Sequence, residues 1–130
     1  MTDGRALPSV EALAYLGDAV FSLLVRRFLV ESGISHAKEL NRLSLAFVTA
    51  PHQARLYRAL EAELTEAERD IFRRAYNHKG LKPPKSASGA EYRTATGLEA
   101  VIGALYLCGE TDRIRGLLSD KLVLPHTDGQ

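Results

Sequence analysis

The chain of 130 residues is 45% hydrophobic and 25% charged, with a formal net charge of +1, the make-up of a soluble globular protein long enough for one domain with a real core. No run of eighteen apolar residues occurs, so no membrane span is expected, and the opening MTDGRALPSV lacks the basic-then-oily form of a secretory signal. The single cysteine, Cys108, excludes an internal disulfide and, with the missing signal, points to a bacterial-type cytoplasmic setting.

Strand signals are poor, with no extended alternation and no Asn-Gly turn, whereas helical periodicity is strong, so the fold class is all-α. A first helix is expected from about Ser9 to Glu31, entered at Pro8-Ser9 and stopped at Ser32-Gly33. It is apolar nearly all round, as a central, buried helix would be. A second helix begins with Ser35 as N-cap and carries Leu40, Leu43 and Phe47. Thr49-Ala50-Pro51 starts a third, with Thr49 capping and Pro in the first turn. Thr65 and Glu68 form a capping box for a fourth, running to about Asn77. Gly80, Pro83, Pro84 and Gly89 make an exposed, lysine-bearing loop of HKGLKPPKSASGAEYR. A long helix from about Ala90 to Cys108 stops at Gly109, and a short one follows from Thr111 to about Leu118. The whole of 1–130 reads as one domain, with an ordered core over about 9–118 and a frayed tail over 119–130.

The charge is uneven. Arg69 to Arg93 holds seven basic residues against two acidic ones, while the rest of the chain holds ten basic against fourteen acidic. A positive segment on a mildly negative body suits an anionic partner, phosphate backbone being the commonest, although a solvated loop flanked by helix-end charges gives the same balance.

Two acids stand out. EALAYLGDAVFSLLV, Glu11 to Val25, places Asp18 in an oily run, where an ionised carboxylate costs several kcal/mol unless paired or bound to a metal. On the last long helix Leu98, Val101, Ile102 and Leu105 form a buried stripe with Glu99 at its edge. Gly17 lies beside Asp18, and Gly103 one turn beyond Glu99. Small residues let two helix backbones approach, so a crossing there would bring both acids to one point. Two buried carboxylates repel unless a divalent cation joins them, and hard oxygen donors suit Mg²⁺ or Mn²⁺. Alternatively, Asp18 caps a neighbouring helix or pairs with an arginine such as Arg93, and Glu99 reaches solvent. His36, His52, His78 and His126 are scattered without ligand spacing, His78 being a surface residue or a phosphate contact. Cys108 reads as a small core residue, and EAELTEAERD as a solvated helix start. GLKPPKS has Pro84 where a phosphate loop needs its second glycine.

These residues resemble a known family. ALAYLGDAVF resembles the signature helix of the ribonuclease III endonuclease domain, and TGLEAVIGALYL its second acidic helix. The closer resemblance is to Mini-ribonuclease III, a short bacterial relative without a separate double-stranded-RNA-binding domain. Ala14 and Thr96 replace acids of ribonuclease III proper, as is typical of the Mini family. Asn77, Lys79, Pro84-Lys85, Tyr92-Arg93, Val48, Ala50 and Gln53-Ala54 also match, so the resemblance spans about Leu13 to Leu118. The chain departs from the pattern at Tyr76, where the family often has arginine, and at Pro51, where it often has lysine. Glu11 stands at a position usually apolar in the Mini family, either an outer or additional metal ligand or a surface residue.

The resemblance implies an all-α, ribonuclease III-like helical bundle forming a homodimer, and Mg²⁺-dependent endonucleolytic cleavage of double-stranded RNA, with Mn²⁺ as a substitute. The implied substrate is the precursor of large-subunit (23S) ribosomal RNA, trimmed at a paired stem, with a ribosomal protein or pre-ribosome as a further partner and no membrane. Asp18 and Glu99 would hold the metal, and a metal-activated water would leave a 5′-phosphate and a 3′-hydroxyl. Arg73, Arg74, Asn77, Lys79, Lys82, Lys85 and Arg93 are the expected RNA contacts, read mainly by shape and backbone; Arg73 and Arg74 are alternatively ordinary helix-end charges. Three rival readings stand beside this one: a non-catalytic RNA-binding or ribosome-assembly module, a helical di-metal redox protein, which favours Glu-x-x-His pairs not present here, and a helical dimerisation protein without a ligand.

Overall fold

A computed structural model of the chain describes residues 6–80 and 88–124, which form six α-helices and no strand. The first, α1 (Val10–Glu31), runs unbroken: Ser9 Oγ accepts the Ala12 N–H at 3.2 Å, and Gly33, at φ 91°, ends it in the left-handed region that glycine takes most easily. Helix α2 (Ala37–Phe47) starts later than expected. His36, not Ser35, is its N-cap, and makes no side-chain capping bond. Sequence favours serine as a cap, and the observed start lies one residue further on, within the usual play of a helix end. Helix α3 (Ala50–Leu60) is capped by Thr49, whose Oγ1 accepts the His52 N–H at 3.4 Å, and a 3-10 turn over Glu61–Glu63 follows. Helix α4 (Glu66–Tyr76) opens with the full capping box: Thr65 N–H donates to Glu68 Oε1 at 2.8 Å, and Glu68 N–H to Thr65 Oγ1 at 3.2 Å. Helix α5 (Gly89–Leu107) is capped by Ser88 and ended before Gly109, at φ 73°. Helix α6 is Thr111–Leu118.

The hub is α5. From Ala95 to Leu105 every residue except Glu99 is buried, with α1, α3, α4 and α6 packed around it. Phe21, Leu29, Leu60, Val101 and Leu105 fill the centre, each worth roughly 1.5–3 kcal/mol of burial. Contrary to the expectation of a helix buried on every side, α1 covers only one face: Leu13, Val20, Phe21, Val25 and Leu29 turn inward, while Tyr15, Leu23 and Val30 stay 85%, 61% and 60% exposed.

Where α1 crosses α5 the backbones touch. A Cβ on Gly17 would lie 1.7 Å from the Glu99 carbonyl oxygen, and one on Gly103 2.0 Å from that of Leu13. Neither overlap is survivable without moving a helix, so both glycines are required for the crossing. The same logic joins α4 to α5 at Gly97, which gives room to the ring of Phe72, itself stacked on Tyr57 with centroids 4.0 Å apart.

One buried ion pair ties the start of α4 to α6. Glu68, read from sequence as part of a solvated stretch, is 2% exposed, and Arg113 donates to both its oxygens at 3.0 and 2.8 Å and to the Glu63 carbonyl at 2.6 Å. The core also reaches beyond the expected limit at 118. Leu122 is buried, and Lys121 Nζ lies 2.6 Å from Glu63, so the frayed tail does not start at 119. Cys108 is half-buried as the C-cap of α5, not a core residue.

Candidate active site

The crossing at Gly17 and Gly103 sets Asp18 of α1 beside Glu99 of α5, within hydrogen-bond reach of each other. Both face an open cavity of about 560 Å³, lined also by Glu11, Ala14, Tyr15, Gly80, Tyr92 and Thr96. The juxtaposition expected from the two small-residue positions is present. The environment differs from expectation, because Asp18 is exposed rather than buried. It follows the buried Gly17 on α1 and so turns to the cavity side, which no other described helix covers. Glu99 is the more enclosed of the two. Burial first, then a hydrogen bond with Asp18 and its negative charge, push Glu99 up to about 8, and the Gln53 amide opposes that rise.

Among the described residues no arginine neutralises Glu99; its polar neighbours there are Asp18 and Gln53, whose Nε2 donates to Glu99 Oε2 at 3.3 Å. Gln53 is 2% exposed. Sequence reasoning matched it to the family but gave it no place at the site. The missed signal was a polar residue on the inward stripe of α3, in step with Leu56, Tyr57 and Leu60.

The donor set fits a hard divalent ion. Two carboxylates meet, one of them driven toward protonation first by burial and then by the other, and no cationic side chain among the described residues pairs with Glu99 to offset this. Among the described residues no group of three or more His, Cys, Asp or Glu could hold a metal, which excludes a closed all-protein cage there. Mg²⁺ commonly takes one or two carboxylates and fills its remaining positions with water and phosphate oxygens. The open cavity leaves room for those.

Glu11, at the edge of the same cavity, meets His78. Gly80 N–H donates to His78 Nδ1 at 3.1 Å, which leaves the ring proton on Nε2, 3.3 Å from Glu11 Oε1. The contact ties the start of the basic segment to α1 at the cavity rim. Of the expected RNA contacts, Lys79, Asn77 and Arg93 are exposed. Arg73 and Arg74 are exposed too, but pair with Asp70 at 2.7 and 3.2 Å, as ordinary helix-end charges do. Lys82 and Lys85, like His126, lie outside the described residues. Tyr92 lines the cavity, and Thr96 Oγ1 donates to its carbonyl at 2.9 Å. No described helix is long and apolar enough to cross a membrane.

Comparison with known proteins gives this geometry a family. The profile of the ribonuclease III domain matches residues 11–110, a span that includes both acids and both crossing glycines. The Mini-ribonuclease 3 of Symbiobacterium thermophilum is 45% identical over 82% of this chain and 82% of its own length. That of Streptococcus pneumoniae is 37% identical over 83% of this chain and 86% of its own. A crystal structure of a Fusobacterium nucleatum protein superposes with a TM-score of 0.79 at 33% identity, covering 86% of each chain. Sequence and fold agree over most of the chain: it belongs to the ribonuclease III domain family, in its Mini-ribonuclease III branch, and is an endoribonuclease.

Proposed function

We propose that the protein is a Mg²⁺-dependent endoribonuclease that cuts double-stranded RNA as a cytoplasmic homodimer, with residues 1–130 forming one endonuclease domain. The observation that carries this reading is the meeting of Asp18 and Glu99, from helices far apart in sequence, in an open cavity where no arginine among the described residues pairs with Glu99. By this reading the two carboxylates hold the ion and present it to the cavity. When bound, the ion supplies Lewis-acid polarisation of a phosphodiester and a water made acidic enough to ionise near neutral pH. Hydrolysis would add a water oxygen to phosphorus, break the bond to O3′ and leave the proton on the departing oxygen, giving a 5′-phosphate and a 3′-hydroxyl. Lys79, Asn77 and Arg93, with Lys82 and Lys85, hold the backbone of the duplex, while Arg73 and Arg74 contribute diffuse positive charge. Mn²⁺ is a fitting substitute by the same donor chemistry.

The homodimer is supported by the apolar face that α1 leaves open, with Tyr15, Leu23 and Val30 all well exposed. A paired stem of the large-subunit ribosomal RNA precursor is the substrate that the family resemblance favours, with a ribosomal protein or pre-ribosome as a further partner.

The test is cleavage of a panel of duplex RNAs with mapped ends, with and without Mg²⁺, by the wild type and Asp18→Asn. The variant is expected to fold and dimerise normally and to leave the RNA intact. Full cleavage by a folded Asp18→Asn protein would reject the metal-site reading, and no Mg²⁺-dependent cleavage by the wild type would favour a non-catalytic RNA-binding module.

A further inference from the structure

We propose that Gln53 is a positioning residue for the acid pair, its side-chain amide holding the Glu99 carboxylate in the orientation that binds the divalent ion. The inference rests on the functional reading above. Gln53 is 2% exposed, and its Nε2 meets Glu99 Oε2 at 3.3 Å across 46 residues of sequence. A carboxylate only accepts, so the amide must present its N–H there. Glu99 is thereby held between two side chains on different helices, Gln53 of α3 and Asp18 of α1.

The position itself is rigid. Thr49 caps α3, and the Gln53 N–H donates to the Thr49 carbonyl at 3.0 Å in the first turn. Ala54, next along, is fully buried. Packing alone would be satisfied by leucine on this inward stripe, and a buried amide is costly without a partner.

The choice of an amide has a chemical logic that Glu68 makes visible. Arg113 at Glu68 neutralises the carboxylate, and an arginine or lysine at position 53 would do the same to Glu99, removing its attraction for a cation. An acid at 53 would add a third negative charge. A neutral donor fixes the carboxylate and leaves its charge for the ion. Partners of this kind, which orient a ligand without touching the metal, set metal affinity in many sites.

The experiment is calorimetric titration of Mg²⁺ and Mn²⁺ into the RNA-free full chain, comparing wild type with Gln53→Met, a near-isostere without the amide. Metal affinity is expected to fall on the order of 10- to 100-fold. The Mg²⁺ concentration for half-maximal cleavage should rise in parallel, with kcat largely recovered at saturating Mg²⁺. Duplex RNA affinity measured without metal should be unchanged. A purely structural role would lower the thermal midpoint and leave metal affinity alone, and that result overturns the proposal. Gln53→Asn, whose amide falls one methylene short, should weaken metal binding in the same direction and serves if the methionine variant does not fold. Wild-type binding and cleavage with unchanged affinity in the variants would reject the role of Gln53 alone. Failure of the wild type to bind either ion would reject the metal site and this role together.

Discussion

Glu68 and Glu99 are both largely withdrawn from water, on neighbouring helices, and are treated in opposite ways. Burial pushes Glu68 up, but the Arg113 hydrogen bond, the Thr65 backbone N–H and the Arg113 charge outweigh it and hold the carboxyl below its usual range. Both its oxygens are bonded, and the result is a joint between α4 and α6. Glu99 receives an amide and a second acid instead; burial first, then the second acid, drive it up to about 8 against the pull of the amide. One glutamate is complete within the protein. By the function proposed above, the other is completed by a cation from outside, and that difference separates a structural carboxylate from a chemical one.

The comparison can be broken by exchanging the treatment of the two sites. Glu99→Gln should reduce duplex cleavage by about 10³-fold, the scale seen when one preorganised electrostatic group is removed. It should not lower the thermal midpoint of the metal-free protein at pH 8, because it removes a repulsion; single-turnover cleavage and calorimetry read the two effects separately. Arg113→Met strands Glu68 instead. Because the Arg113 side chain is 32% exposed, the loss should be about 2–3 kcal/mol rather than the 3–5 kcal/mol of a dry pair, measured by urea unfolding. The remaining folded fraction should cleave normally.

The two acids also predict opposite pH slopes. Glu99 has a folded value of about 8 against 4.5 for an ordinary glutamate, so the native state binds the extra proton between those limits. Metal-free stability should therefore fall as pH rises from 4.5 to 8, and Mg²⁺ should offset the loss. Glu68 is lowered from 4.5, so its contribution is present above that pH and is lost as pH falls through its folded value. Thermal midpoints in chelator, taken from pH 8 down to below 4.5, test both, with Glu99→Gln removing the slope above 4.5 and Glu68→Gln the one below it. The smallest effect concerns the basic segment. Neutralising Lys79, Lys82 and Lys85 should reduce the salt slope of RNA binding by roughly 0.7–0.9 for each phosphate left without its lysine. An unchanged slope would remove the segment from the binding face.

Local chemistry made much of the fold readable before any coordinates. Thr65 with Glu68, Thr49 with Pro51, and Gly109 all mark helix ends through interactions within four residues, and the observed bounds follow them closely. Gly17 and Gly103 announced the crossing because nothing larger fits there. The failures required knowledge of which side of a helix its neighbours cover. The apolar flanks of Asp18 suggest burial, yet its side of α1 opens to the cavity. Glu68 sits in an acidic run that suggests a solvated side chain, and its partner lies 45 residues away. Gln53 and the Glu11–His78 contact were hidden for the same reason.

The contact of main chains at Gly17 and Gly103 has a consequence for ion choice. Two backbones already touching cannot be squeezed together around a smaller ion, so α1 and α5 act as a fixed gauge. If Asp18 and Glu99 hold the ion as proposed, any adjustment to ionic radius must come from rotation of the two carboxylate arms, whose reach would then set the range of metals accepted.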